Sequence, residues 1–248
     1  MNGEPQKIVY RTVNGIELTM HIFVTEAGAE GCGIGMLGFH GGGWSTGSPE
    51  SWYPIAGKLR EVGIVSFLAQ YRLMPTHKVD FWDILDDAHA AYAWVLEHAH
   101  AYGVDPARIG VAGGSAGGHL AAGLFSIPPR AGKLLAPPRF YIGMNPVLDL
   151  SEDGWMAGHQ LLGDAWKRVS PLHLLGAQRP PPVALFHGTA DDVTPITGIR
   201  RYRDQVVAMG GICELHEFEG RTHAFFNKSP DFETIYPQLA RFIQRCAG

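Results

Sequence analysis

The sequence predicts a single α/β domain over residues 1–248, with a mostly parallel sheet of eight strands and helices on both faces. The first supporting observation is an alternation of short apolar runs with amphipathic helical segments, because strands joined through helices pair in parallel. The second is an Asn14-Gly15 turn between two β-branched runs, which predicts an antiparallel N-terminal hairpin. The third is a hydrophobic fraction of 46%, which is ordinary for one large globular domain.

The predicted elements follow one another along the chain. The hairpin covers residues 7–24, and a glycine-rich connection from Gly28 to Gly33 leads into the alternating part. Further strands are predicted at 34–39, 64–69, 108–112, 140–144, 183–186 and 213–217, and helices at 53–61, 81–102, 116–125, 196–208 and 232–246.

The segment 145–182 is a long irregular stretch that contains Trp155, Met156 and Trp166. Loops of this length in a compact domain are usually functional, so we interpret it as a short cap or a pocket-lining insert. The alternative is a plain surface connection whose aromatic side chains pack into the core.

Charge and hydropathy exclude several classes of partner. A net charge of -4 with 18% charged residues provides no basic field for nucleic acid and no polybasic patch for a membrane surface. No stretch approaches the roughly 18 apolar residues of a membrane span, and residues 1–10 lack the apolar region of a secretory signal. Taken as a whole chain, the sequence predicts a cytoplasmic protein.

Cysteines and histidines give no sign of a metal site. The three cysteines, Cys32, Cys213 and Cys246, are far apart and have no C-x-x-C spacing, so we interpret them as free thiols. Three histidines of the predicted helix 81–102 lack the i, i+4 spacing of a zinc helix, and we interpret them as solvated: His89, His98 and His100. No metal and no organic cofactor are therefore predicted.

Gly113-Gly114-Ser115-Ala116-Gly117 is a G-x-S-x-G sequence between the predicted strand 108–112 and the predicted helix from 116. A nucleophile on such a sharp strand-to-helix turn has strained backbone angles, and the residues two positions before and after it must be small. The following helix directs its N-terminal N–H groups at the place where negative charge develops. Ser115 is therefore the candidate nucleophile.

A second motif, His40-Gly41-Gly42-Gly43-Trp44, directly follows the predicted strand 34–39. Consecutive glycines let the backbone approach a reacting carbonyl and turn its N–H groups inward, as an oxyanion hole requires. Gly42, Gly43 and the N–H of Ala116 are the candidate donors. We interpret His40 as a residue that orients the loop.

A serine hydroxyl needs a histidine base that is held by a carboxylate. Asp191 follows the predicted strand 183–186, and His223 follows the predicted strand 213–217, which gives the chain order serine, acid, histidine. Spacing alone does not separate Asp191 from Asp192. Thr194-Pro195 reads as an N-cap followed by proline at the start of a helix, so Asp192 could simply lie near that helix end.

With these motifs the sequence resembles the carboxylesterase and lipase group of the α/β-hydrolase fold, which includes hormone-sensitive-lipase-like esterases and bacterial carbohydrate acetyl and feruloyl esterases. The resemblance implies that Asp191, four residues before Pro195, is the acid, and that Arg72 and Asp87 form a structural ion pair. It covers nearly the whole chain and is carried by His40-Gly41-Gly42-Gly43-Trp44, Tyr71-Arg72-Leu73, Asp87 with Trp94, residues 102–111, residues 114–120, and Asp191 with Pro195.

Two departures refine what the resemblance implies. Only 39 residues precede His40, and most of them belong to the hairpin, so no N-terminal cap domain is expected. Gly114 stands where many members have an acidic residue before the nucleophile. Both departures favour the capless acetyl and feruloyl esterase branch over long-chain lipases.

The resulting prediction is a serine carboxylesterase that hydrolyses short-chain esters, acetyl to butyryl, with carbohydrate or aryl acetates among the candidate substrates. The candidate pocket walls are Trp44, Trp155, Met156 and Trp166. The expected partner is a small ester, and a homo-oligomer remains open. Two alternatives also remain: an amide hydrolase such as an arylformamidase, and a non-catalytic binding protein with a hydrolase fold.

Overall fold

A computed structural model describes residues 4–25, 31–131, 135–176 and 179–248. Part of the glycine-rich connection predicted from Gly28 to Gly33 lies outside these residues, and so do residues 177–178 of the segment 145–182.

The described strands form one sheet in the order β1-β2-β4-β3-β5-β6-β7-β8. The hairpin β1–β2 is antiparallel and joins β4 antiparallel, whereas every later pairing is parallel. This confirms the predicted hairpin and the eight-stranded, mostly parallel sheet. The strands are β1 Gln6–Val13, β2 Ile16–Phe23, β3 Gly35–Phe39, β4 Val65–Ala69, β5 Ile109–Gly114, β6 Tyr141–Met144, β7 Val183–Gly188 and β8 Cys213–Phe218.

The described α-helices include all five that the sequence predicts, and those at 53–61 and 196–208 have the predicted bounds. The predicted helix 81–102 ends earlier, because a 3-10 turn over Ala99–Tyr102 replaces its last turn. The helices are α1 Tyr53–Glu61, α2 Met74–His77, α3 Phe81–His98, α4 Ala116–Ser126, α5 Met156–Leu162, α6 Pro171–Leu174, α7 Ile196–Ala208 and α8 Asp231–Ala247.

The segment 145–182 is less irregular than expected, since it contains α5 and α6. Neither helix exceeds two turns, so neither shows the apolar periodicity by which a helix is recognised in a sequence.

The sheet separates two layers of the core. In β4, Phe67 packs with α3 and α4 on one face, while Leu68 packs with α1 and α8 on the other. This alternation follows from the two-residue period of a strand, and it confirms that helices cover both faces. Among the described residues, no helix is both long enough and apolar enough to cross a membrane.

A buried ion pair ties α3 to the chain after β4. The Arg72 Nε lies 2.7 Å from Asp87 Oδ2, and both side chains are almost completely buried. Arg11 of β1 contacts the other carboxylate oxygen, at 2.8 Å. Arg72 and Asp87 thus form the pair that the family resemblance implies, and they hold the hairpin, β4 and α3 together.

The interpretation of the α3 histidines as solvated is wrong for His89. Its side chain is buried, and its Nε2 lies 2.9 Å from the Ile127 carbonyl oxygen, so the ring joins α3 to the end of α4. Sequence spacing excludes a zinc pair but says nothing about which helical face turns inward. His100 is exposed, as expected.

Candidate active site

Ser115 lies on the turn between β5 and α4, with φ 52° and ψ -121°. The chain doubles back so tightly that a Cβ atom on Gly117 would lie 2.2 Å from the Phe39 carbonyl oxygen, and one on Gly113 would lie 2.1 Å from the Gly117 carbonyl oxygen. Only glycine fits at either position, as the G-x-S-x-G pattern predicts. The strained backbone presents the serine hydroxyl above the carboxyl edge of the sheet.

The loops after β7 and β8 bring a carboxylate and an imidazole to that hydroxyl. His223 Nε2 is 2.9 Å from Ser115 Oγ, and His223 Nδ1 is 2.8 Å from Asp191 Oδ2. Parallel strands place their carboxyl ends at one edge of the sheet, so residues far apart in sequence meet there. The arrangement has the hydrogen-bond geometry of a nucleophile, a base and an orienting acid.

The Asp191 carboxylate is buried and densely hydrogen-bonded. Its Oδ1 accepts the backbone N–H groups of Val193 and Thr194, at 3.0 and 2.9 Å, and its Oδ2 accepts the Thr194 hydroxyl at 3.1 Å. Burial alone would raise the pKa of Asp191, but the hydrogen bonds from His223 and Thr194 outweigh it and lower that pKa. The carboxylate is therefore ionised at neutral pH.

Asp192 is exposed, and the carboxylate hydrogen-bonded to His223 Nδ1 is that of Asp191. The interpretation of Thr194 as a helix N-cap is wrong, because α7 begins at Ile196 with Pro195 at the capping position. The Thr194 side chain instead donates to Asp191.

The glycine loop after β3 faces the same hydroxyl. Gly42 and Gly43 have φ of 118° and 59°. Among the described residues, no backbone carbonyl oxygen accepts a hydrogen bond from their N–H groups or from that of Ala116. A Cβ atom on Gly41 would lie 3.2 Å from the Ser115 Cβ, so the loop runs against Ser115. The three N–H groups are thus available to a negatively charged oxygen.

His40 anchors this loop, which agrees with its interpretation as an orienting residue. Its Nδ1 is 2.8 Å from the Gly41 carbonyl oxygen, and its ring stacks on Tyr71 with centroids 4.2 Å apart. The Tyr71 hydroxyl donates to the His40 carbonyl oxygen at 2.8 Å. Burial lowers the pKa of His40 to about 4, so the ring is neutral.

A cavity of about 400 Å³ opens over Ser115. Trp155 belongs to its wall, as expected for a pocket residue, and lies close to Gly43. The other lining residues are Gly41, Gly42, Gly47, Ser51, Trp52, Gly114, Val193, His223, Ala224, Phe226 and Asn227. Apart from His223, none of the lining side chains can carry a charge.

Three of the candidate pocket residues do not line this cavity. Trp44 is fully buried behind Trp155, with the ring centroids 5.1 Å apart, and it packs on Phe81 and His119. Met156 is 44% exposed on α5, and Trp166 packs against two histidines of the same segment. The sequence predicts all three residues near the site, but it does not show in which direction each side chain points.

Trp52 and Phe226 are cavity residues that sequence reasoning missed, since neither belongs to a motif. Among the described residues, no group of three or more histidine, cysteine, aspartate or glutamate side chains could hold a metal ion. All three cysteines are free thiols, as expected.

The strained serine turn and the sheet order define the class of protein as an α/β-hydrolase. The chain belongs to the family described as alpha/beta hydrolase fold, whose model matches residues 36–170. This confirms the fold predicted from the motifs.

Two solved structures of an esterase from the planctomycete Thermogutta terrifontis resemble nearly the whole chain. Both are 32% identical in sequence, and each alignment covers 98% of this chain and 95% of that esterase. The TM-scores are 0.87 for the structure with propionate bound and 0.88 for the structure with butyrate bound.

Similar curated proteins are also ester or amide hydrolases by name. The ethyl acetate hydrolase of Pseudomonas putida is 36% identical over 120 residues, and the arylacetamide deacetylase of Bos taurus is 32% identical over 122 residues. These alignments cover 48% and 47% of this chain, but only 37% and 30% of the two relatives. The resemblance to the carboxylesterase and lipase group is confirmed.

Proposed function

We propose that this protein is a serine carboxylesterase that hydrolyses short-chain esters, acetyl to butyryl, through an acyl-enzyme. The observation that carries the proposal is the continuous hydrogen-bonded series from Ser115 Oγ through His223 to Asp191, with distances of 2.9 and 2.8 Å. Such a series converts a weak hydroxyl nucleophile into an effective one.

In the first half-reaction, His223 Nε2 takes the proton of Ser115 as its Oγ attacks the ester carbonyl carbon. Asp191 holds the ring through Nδ1 and stabilises the positive charge that forms on it. The N–H groups of Gly42, Gly43 and Ala116 bind the tetrahedral oxyanion, and each such donor typically contributes about 3 kcal/mol to transition-state stabilisation.

Collapse of this intermediate expels the alcohol, to which His223 gives its proton. Water then enters, loses a proton to His223 and attacks the acyl carbon of the acyl-enzyme. The second intermediate releases the carboxylic acid and restores Ser115. Every proton in this cycle passes through His223 Nε2, and ester and water are converted to alcohol and carboxylic acid without a change of oxidation state.

The preference for short acyl groups is supported by the size and chemistry of the cavity. About 400 Å³ must hold both sides of the ester, and Trp155 closes the wall beside Gly43. The uncharged lining favours neutral esters, because an unpaired charge would lose its hydration there. The similar Thermogutta esterase binds propionate and butyrate, and a named relative hydrolyses ethyl acetate.

A series of p-nitrophenyl esters from acetate to dodecanoate, with acetylated sugars beside it, tests this proposal. We expect kcat/KM to be highest between acetate and butyrate and to fall steadily for longer chains. Ser115→Ala should abolish turnover of all of them and labelling by a fluorophosphonate probe. A maximum at octanoate or longer would contradict the acyl preference, and an active, labelled Ser115→Ala variant would contradict the mechanism.

Amide hydrolysis is a second candidate, supported by the likeness to an arylacetamide deacetylase. The same nucleophile and oxyanion donors could serve an anilide. The discriminating measurement compares phenyl acetate with N-acetyl and N-formyl arylamines at matched concentrations. A larger kcat/KM for either amide would favour this function over ester hydrolysis.

A further inference from the structure

Asn145 connects the nucleophile to the acid, and the mechanism above does not use it. It follows β6 directly, is completely buried, and has a left-handed backbone with φ 44°. Its neighbours in the chain bind the backbone of the nucleophile: Ser115 N–H donates to the Met144 carbonyl oxygen at 2.9 Å, and Val147 N–H donates to the Ser115 carbonyl oxygen at 3.2 Å.

The Asn145 side chain reaches from there to the acid. Its Nδ2 lies 2.6 Å from Asp191 Oδ2, the same oxygen that accepts the hydrogen bond from His223. An ionised carboxylate only accepts hydrogen bonds, so the amide must present its NH₂ group. With its NH₂ group turned to Asp191, the amide oxygen is buried with no partner among the described residues, so the contact with Asp191 fixes the orientation of this side chain.

We propose that Asn145 is a positioning residue for the reaction: its amide holds the Asp191 oxygen that orients His223, and so keeps the imidazole aligned with Ser115. The inference rests on the proposed function. A neutral donor is suited to this task, because it fixes the carboxylate without competing with His223 for the role of base.

The titratable groups facing the Asp191 carboxylate are His223 and His187. His187 Nε2 is 3.4 Å from Asp191 Oδ2, but it lies closer, at 2.7 Å, to the Thr194 carbonyl oxygen. Without the Asn145 amide, Asp191 keeps its hydrogen bonds to Val193, Thr194 and His223 but loses one of the donors that fix Oδ2, so this oxygen can shift toward the His187 N–H group. Such a shift would lengthen the bond to His223 and release the ring from the serine.

Two substitutions separate donation from shape. Asn145→Leu keeps the number and branching of the side-chain heavy atoms and removes the donor. Asn145→Asp keeps the shape and the tolerance of a left-handed backbone, and it donates only while its new carboxyl is protonated. That carboxyl shares one proton with Asp191 at low pH, and the two repel each other once both are ionised.

Asn14, in the hairpin turn with φ 50°, provides matched controls through Asn14→Leu and Asn14→Asp.

The measurement is kcat and KM for p-nitrophenyl acetate from pH 5 to pH 9, with the thermal unfolding midpoint recorded for each variant. We expect Asn145→Leu to lower kcat about tenfold to a hundredfold at every pH, with KM within about twofold. The ratio of kcat for Asn145→Asp to that of the unmodified enzyme should be near one at pH 5 and fall steeply toward pH 9. The Asn14 variants should have the same kcat and KM as the unmodified enzyme from pH 5 to pH 9.

The inference is overturned if Asn145→Leu keeps its kcat, or if the Asn145→Asp ratio does not change with pH. If Asn145→Leu does not fold, the pH dependence of the Asn145→Asp ratio decides alone. Ser115→Ala separates the two proposals. An active Ser115→Ala enzyme contradicts the proposed function, whereas an inactive one beside unaffected Asn145 variants contradicts only the role of Asn145.

Discussion

Asp191 and Asp192 are adjacent side chains of the same chemistry, and their surroundings distinguish them. Asp191 is buried and accepts hydrogen bonds at both carboxylate oxygens, including the one from His223. Asp192 is exposed. Because a buried, densely hydrogen-bonded carboxylate keeps both its charge and its direction, Asp191 is the carboxylate that we propose to hold the imidazole in one tautomer.

Replacing each aspartate by asparagine tests this difference. In Asp191→Asn the amide no longer stabilises the protonated ring and favours the wrong tautomer, so we expect kcat to fall by about 10⁴-fold. Asp192→Asn is the matched control and should stay within about twofold of the unmodified enzyme, as most exposed substitutions do. The measurement is kcat on p-nitrophenyl acetate at neutral pH. Equal losses in the two variants would show that the acid is not Asp191.

At the scale of residues, the sequence predicts a functional role where the residue belongs to a recognisable motif. Ser115 and the two small neighbours it needs are visible in one pentapeptide, whereas spacing alone left Asp191 and Asp192 equal. Asn145 gave no signal, because its contact with Asp191 depends on β6 and β7 being neighbours in the sheet. The sequence Thr194-Pro195 predicts a helix cap, but α7 begins one residue later than this pattern implies, and the Thr194 hydroxyl donates to Asp191.

The turn from β5 into α4 depends on close backbone contacts that only glycine permits. A Cβ atom on Gly117 would meet the carbonyl oxygens of Phe39 and His40 at 2.2 and 2.3 Å. Neither oxygen belongs to a flexible side chain, so β3 and α4 would have to move apart. The glycine loop with the proposed oxyanion donors begins at His40, which means that such a shift would also disturb the candidate site.

We therefore expect Gly117→Ala to lower the free energy of unfolding by about 3 kcal/mol or more and to abolish activity in the fraction that remains folded. Gly57, in the middle of α1, is the matched control, because a Cβ atom there meets nothing within 4 Å. Gly57→Ala should raise stability by about 0.5–1 kcal/mol, as alanine restricts the unfolded chain and favours helix. Urea unfolding of both variants provides the comparison, and a Gly117→Ala protein of unchanged stability would refute the steric argument.

At the scale of elements, the sequence predicts strands and long helices better than short ones. The Asn14-Gly15 turn located the hairpin, and α1 and α7 show enough apolar periodicity to give their bounds. Three helices were not predicted, α2, α5 and α6, and each has at most seven residues. Tertiary contacts decide whether so short a segment is helical.

At the scale of the whole molecule, buried histidines link folding stability to pH. His40 anchors the glycine loop after β3, and His119 joins α4 to the segment before α6 through a 2.6 Å contact between its Nε2 and the Val169 carbonyl oxygen. Burial lowers the pKa of each ring to about 4, from an ordinary value of 6.5. Between these two values the unfolded chain binds protons that the folded protein does not.

Above pH 6.5 the two histidines should therefore not reduce the free energy of unfolding. As the pH drops toward 4, this free energy should fall by up to about 3 kcal/mol for each of the two histidines. Asp191 acts outside this pH range: its pKa is lowered below 3.8, so its contribution to stability is present above that pH and is lost only in stronger acid.

His119→Gln keeps an N–H donor for Val169 without titrating, and should make the decrease in the free energy of unfolding between pH 6.5 and pH 4 shallower. His100→Gln, at an exposed position, should leave it unchanged. Urea unfolding at pH 7, 5.5 and 4.5 gives the free energy of unfolding of the three proteins. If this free energy depends on pH equally in His119→Gln and in the unmodified enzyme, protonation of the buried His119 ring is not what destabilises the protein in acid.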